Sequence, residues 1–161
     1  MPDSDVLRTP RDDVRLALAG RRPGRILRGE LVIDDGFVRD MVGIAGEAVP
    51  WSARQAVLRR LRHDLVVVPF SNGWGSPEQP DGEESIFLLR QWQDESDLFV
   101  FALMDGPFSA AAKAWGWEGA LTHLSAPGRA ELEMMAEATL ELAEQARSLA
   151  ARGADGILIG D

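Results

Sequence analysis

Residues 64–70 read DLVVVPF, a short apolar run rich in valine with an aspartate at its head and Ser71 after it. Branched side chains crowd a helix and suit a pleated strand, and an unbroken apolar run fits a strand covered on both faces, as in a parallel sheet. The same signature returns in LFVFALM at 98–104, stopped by Asp105, Gly106 and Pro107, and in GILIG at 156–160, reached through Ala154 and Asp155. Another strand is expected at 26–33, interrupted by Arg28, Gly29 and Glu30 and closed by Asp34 and Asp35.

Helical patterns lie between these runs. Residues 1–25 read as a polar arm with a short helix, VRLALAG, capped by Asp12 or Asp13 and ended by Gly20. FVRDMVG predicts one helix and ARQAVLRRLR a second, with Ser52 as its N-cap. The stretch SNGWGSPEQPDGEE, 71–84, has no periodicity and reads as a long loop before a helix over 86–92. Ser109 is expected to cap AAAKAW, and more helix continues through WEGALTHL. From about 127 to 152, Leu132, Met135, Thr139, Leu142, Ala146 and Leu149 recur at alternating intervals of three and four, predicting one long helix with a buried stripe; Gly153 stands where a cap belongs. Strands alternating with helices define an α/β chain with parallel pairing.

The balance of 17 Lys and Arg against 26 Asp and Glu gives a net charge of -9. Binding to nucleic acid runs on clustered cations that neutralise phosphates, so neither a nucleic-acid partner nor an anionic membrane surface is expected. The absence of cysteine removes disulfides, thiolate nucleophiles and Cys-containing zinc sites, and fits a cytoplasmic setting. No run approaches the roughly 18 apolar residues of a membrane span, and the opening MPDSDVLRTPRDD is no export signal. His63 and His123 share no metal-ligand spacing and read as structural, so no metal site is expected. Gly73, Gly75 and Gly82 form no phosphate-binding loop.

The residues at the strand ends matter more. Asp34 and Asp35 come after the first strand, Ser71 and Asn72 after the second, Asp105 after the third and Asp161 after the last. In a parallel sheet these carboxyl ends lie on one edge, where α/β folds place their ligands. Asp34, Asn72, Asp105 and Asp161 are therefore candidates for a common site. The plainer reading makes such residues turn formers and helix caps. Trp74 offers a flat ring for stacking on a planar ligand or for packing its own loop; Trp115 and Trp117 read as helix packing.

LVVVPFSNGWG, DLFVFALMDGPFSAAAKAWG and ARGADGILIGD, in that order, resemble the uroporphyrinogen decarboxylase family, which also contains corrinoid-linked methyltransferases. The resemblance covers roughly 14–161 and implies the first four βα units of a (βα)8 barrel, a half barrel over 26–161, with an open four-stranded parallel sheet as the alternative. The decarboxylases place a catalytic aspartate after Phe-Ser, where this chain has Asn72, and a substrate-binding tyrosine near the position of Lys113; the chain has no tyrosine. RGEL before the first strand and GADGILIGD at the fourth look closer to the methyl-transfer branch. The resemblance and the strand ends together give Asn72, Asp105 and Asp161 as candidate catalytic residues, and Arg28, Asp34, Ser71, Trp74 and Phe108 as candidate substrate contacts. It implies a tetrapyrrole, corrinoid or other small-molecule ligand, a corrinoid partner, and zinc held by a second barrel half. That half would come from a homodimer or a complementing chain. Genuine uroporphyrinogen decarboxylation and a non-catalytic half barrel that binds a partner remain the alternatives.

Overall fold

The computed structural model describes residues 8–46, 48–71 and 80–160. Among them run α1 (Pro10–Leu18), α2 (Asp35–Val42), α3 (Trp51–Leu61), β1 (Leu65–Pro69), α4 (Gly82–Glu95), β2 (Phe99–Asp105), α5 (Pro107–Ser125), α6 (Arg129–Ala151) and β3 (Gly156–Gly160). The strands form one sheet in the order β1-β2-β3; β2 and β3 are parallel, with Phe101 opposite Gly156 and Asp105 opposite Gly160. The chain is thus α/β, with the three apolar runs as strands. Two compact units are distinguished, Met1–Val67 with Ser96–Phe99, and Val68–Glu95 with Val100–Asp161.

In the first unit, α1 begins at Thr9 rather than at Asp12 or Asp13. The Thr9 hydroxyl accepts from the Asp12 N–H at 3.2 Å, while the Asp12 carboxylate accepts from the Thr9 N–H at 3.1 Å, closing a reciprocal cap. Arg11 fastens this helix to the turn before β2, its N–H donating to the Asp97 carbonyl and its Nε to that of Leu98, both at 2.9 Å. Between α2 and α3, buried Val38, Ala53 and Val57 form a core flanked by Ile33, Met41, Ile44, Val49 and Leu61. α3 starts after Pro50 with no side-chain cap, so Ser52 is inside the helix.

The expected strand at 26–33 is not formed. Among the described residues isolated links join it to the chain before β1: the Asp64 N–H donates to the Arg28 carbonyl at 2.8 Å, and the Arg28 N–H to the Asp64 carboxylate at 2.8 Å. Gly29 lies so close to Leu65 that a Cβ there would run into the leucine side chain. Much of this segment faces solvent: Ile26 is 87% and Val32 74% exposed. A segment broken by Arg-Gly-Glu offers few apolar side chains to the core to hold a ladder in register.

In the second unit, β2 runs buried into Met104 and Asp105. The Asp155 carboxylate accepts from the Val100 N–H at 3.0 Å and from Gln93 Nε2 at 2.8 Å, fixing where β3 begins beside β2. α4 is longer than the 86–92 helix expected; Asp81 caps it, accepting from the N–H groups of Glu83 and Glu84 at 2.9 Å. Ser85, buried near its start, donates to the Pro69 carbonyl at 2.7 Å. α5 breaks at Gly116, whose φ of 72° is left-handed, so the two helical pieces expected here are present. Ser109 is not the cap of α5, which begins after Gly106.

α6 is the expected long helix, but its contact stripe differs. Leu142, Ala146 and Leu149 pack against Ala102 and Met104, and Met134 and Met135 against α5. Leu132 and Thr139 are exposed, Leu132 at 58%, and the small Ala138 is buried instead. No helix among the described residues is long and apolar enough to cross a membrane.

Candidate functional site

β1 and β2 end side by side within the second unit, where the Phe70 N–H donates to the Leu103 carbonyl at 2.8 Å. That register places Ser71, the residue after Phe70, next to Asp105. The Ser71 hydroxyl donates to Asp105 Oδ1, and Lys113 Nζ, from the second turn of α5, donates to Oδ2. Ser71 and Asp105 are 3% and 8% exposed. A buried carboxylate is tolerated only when paired and hydrogen-bonded, and here both oxygens are.

Lys113 is bonded at one end of its reach. Its side chain is 40% exposed, and an ammonium carries three donors, so N–H groups remain for a ligand. The same edge is closed by Gly160, whose carbonyl accepts from the Gly106 N–H at 3.3 Å and from the fully buried Ser109 hydroxyl at 3.2 Å. The arrangement supplies a cation, a carboxylate and a hydroxyl in one hydrogen-bonded row, able to orient an anionic or carbonyl group and to exchange a proton with it.

The sequence candidates divide accordingly. Ser71 and Asp105 are brought together. Phe108 packs near them in chain order but against the alanines of α5, with its ring 5.4 Å from that of Trp117. Asn72, Trp74 and Asp161 lie outside the described residues. Arg28 and Asp34 belong to the first unit, where both line an open cleft of about 570 Å³. Asp34 is the N-cap of α2, accepting from the N–H groups of Gly36 at 2.7 Å and Phe37 at 3.2 Å, so for it the plain capping role holds. Trp115 stacks on His123 at 4.7 Å within the α5 cluster, as its packing role requires, whereas Trp117 is 51% exposed.

His63 lines the cleft and is 8% exposed, and its Nδ1 has no hydrogen-bond partner among the described residues. Burial pushes its pKa below the ordinary 6.5, Arg28 adds to the lowering, and Glu30 and Asp64 oppose it. Beside it Asp64, 2% exposed, accepts from Arg25 Nη1 at 2.9 Å, from Nη2 and from the Arg28 N–H. That hydrogen-bonded pairing raises the pKa of Arg25, which also reaches Asp13 at 2.9 Å.

Sequence reading missed the role of Lys113 as the partner of Asp105 and the whole Arg25 pairing. The available signal for the former was modest: a lysine two turns into the helix after a strand-end aspartate points back toward the strand. Among the described residues no three His, Asp or Glu side chains are grouped to hold a metal ion. No protein-family model, curated protein or solved structure matches the chain.

Proposed function

We propose that the chain is the amino-terminal half of a uroporphyrinogen decarboxylase-like barrel, a methyl-transfer member rather than a decarboxylase, and incomplete as a catalyst by itself. The observation that carries this reading is the row formed by Ser71 and Asp105, at the carboxyl ends of adjacent strands, with Lys113 of α5, on the edge where barrels of this kind bind ligands. The sequential order β1-β2-β3 supports it, as does Gly29 lying against Leu65, where a preceding barrel strand would run. Lys113, at the place where the decarboxylases carry a substrate-binding tyrosine, favours the methyl-transfer side.

In this reading Lys113 contacts and orients the ligand, and Asp105 holds Lys113 and the Ser71 hydroxyl in place. Zinc held by a second barrel half would favour loss of the proton of a thiol acceptor, and a methylated corrinoid on a partner protein would supply the methyl group, the cobalt keeping the electron pair of the broken cobalt–carbon bond as the carbon–sulfur bond forms. The exposed Ile159 on β3, 63% accessible, is apolar surface for that second half to cover. The test mixes the purified chain with a second-half barrel, a methylated corrinoid protein and a thiol. Association and thiol methylation are expected; absence of both refutes the reading. Association without methylation would favour the second reading, a non-catalytic half barrel whose open β3 edge binds a partner chain.

A further inference from the structure

The cleft of the first unit carries two opposite charges that do not meet. Arg28 and Glu30 both line it, yet neither side chain makes a hydrogen bond or ion pair among the described residues, with each other or with anything else. Asp34, on the same cleft, is engaged as the cap of α2. The remaining lining is apolar, with Ile33, Phe37 and Leu61 beside Val32, and Phe37 is 45% exposed. His63 adds a nine-tenths-buried imidazole whose Nδ1 lacks a partner among the described residues. A cavity of about 570 Å³ is within the range that holds small molecules.

These features select a ligand class. A simple carboxylic acid would satisfy Arg28 and set its charge against Glu30; a simple amine would do the reverse. A zwitterion places a carboxylate on Arg28 and an ammonium on Glu30, and an apolar substituent covers the Phe37 wall. We propose that this cleft binds a free α-amino acid with an apolar side chain, held by Arg28 at its carboxylate and Glu30 at its ammonium. The site goes beyond the methyl-transfer reading and stands on the first unit alone, so either can fail without the other.

Isothermal titration calorimetry of the full chain with L-phenylalanine tests it, with N-acetyl-phenylalanine, phenylalanine amide and glycine as comparison ligands. Phenylalanine is expected to bind, and each comparison ligand, lacking one of the three recognised groups, to bind at least about tenfold more weakly. Arg28→Gln and Glu30→Gln, both at side chains without partners among the described residues, should each weaken phenylalanine by a similar factor. No binding of phenylalanine overturns the proposal. Equal binding of the amide and the N-acetyl derivative also overturns it, since the charges would then play no part. Because the ligand series uses the unaltered protein, the result does not depend on the variants folding.

Discussion

Replacing Asp64 by Asn tests the pairing that ties the 25–28 segment to the head of β1. The carboxylate is 2% exposed and receives two donors from Arg25 and one from the Arg28 backbone. Asparagine keeps the shape and one acceptor oxygen but loses the charge and turns an amide toward the arginine. A hydrogen bond to a charged partner contributes about 1.5–3 kcal/mol, and breaking a buried pair costs about 3–5 kcal/mol. Arg25 is 45% exposed and keeps Asp13, so water and the second carboxylate offset part of the loss. The net expectation is about 2–3 kcal/mol of destabilisation, a fall in Tm of about 4–12 °C for a chain of this size. Urea unfolding monitored by circular dichroism reads it, and a double-mutant cycle with Arg25→Gln should give a coupling of about 1 kcal/mol or more. If Asp64→Asn unfolds within about 0.5 kcal/mol of the parent chain, the pairing does not hold this segment and the reasoning fails.

The same geometry predicts the response to other perturbations. Gly29→Ala forces a Cβ onto Leu65 and should destabilise by about 1–3 kcal/mol in thermal unfolding; an unchanged Tm would mean the segment does not lie against β1. Asp34→Ala removes the cap of α2 and should lose about 1 kcal/mol, most of it recovered by Asp34→Ser, whereas equal losses for both would assign Asp34 another role. His63 has its folded-state pKa pushed below 6.5, so as pH falls through 6.5 the unfolded chain takes up a proton that the folded chain does not. The contribution is complete above that value and shrinks down to the lower folded pKa, so the stability advantage over His63→Gln should be smaller at pH 5.5 than at pH 7.5 by denaturant titration. A difference independent of pH would place the imidazole in open solvent.

The strands were legible because burial on both faces leaves a run with no polar interruption, as in Val66, Val67 and Val68 or in residues 98–104. The segment at 26–33 shows the limit of that signal: its apolar residues suggest a strand, but Arg28, Gly29 and Glu30 leave it with isolated links to Asp64 and a close approach to Leu65. Spacing along α6 gave the helix but not its face, because Ala138 is buried while Leu132 and Thr139 are exposed. Small residues carry helix packing without a hydropathy signal strong enough to set the stripe.

At the candidate site, Asp105 and Ser71 were legible as strand-end residues, since alternation of strand and helix brings such ends together. Asp34 occupied the same kind of position and turned out to be a cap, because α2 begins at the next residue. The two cases differ only in their neighbours in space, which residue order does not carry. Lys113 and the meeting of Arg25 with Asp64 were hidden for the same reason: 39 residues separate the latter pair.

The most direct measurement on the proposed strand-end site is thiol methylation from a methylated corrinoid protein in the presence of a second barrel half, comparing the parent chain with Asp105→Asn. Circular dichroism confirms that both are folded. Turnover that requires both halves and falls by about a hundredfold or more in Asp105→Asn is the predicted result. Turnover unchanged by that substitution, or neither turnover nor association with any second half, would contradict the site.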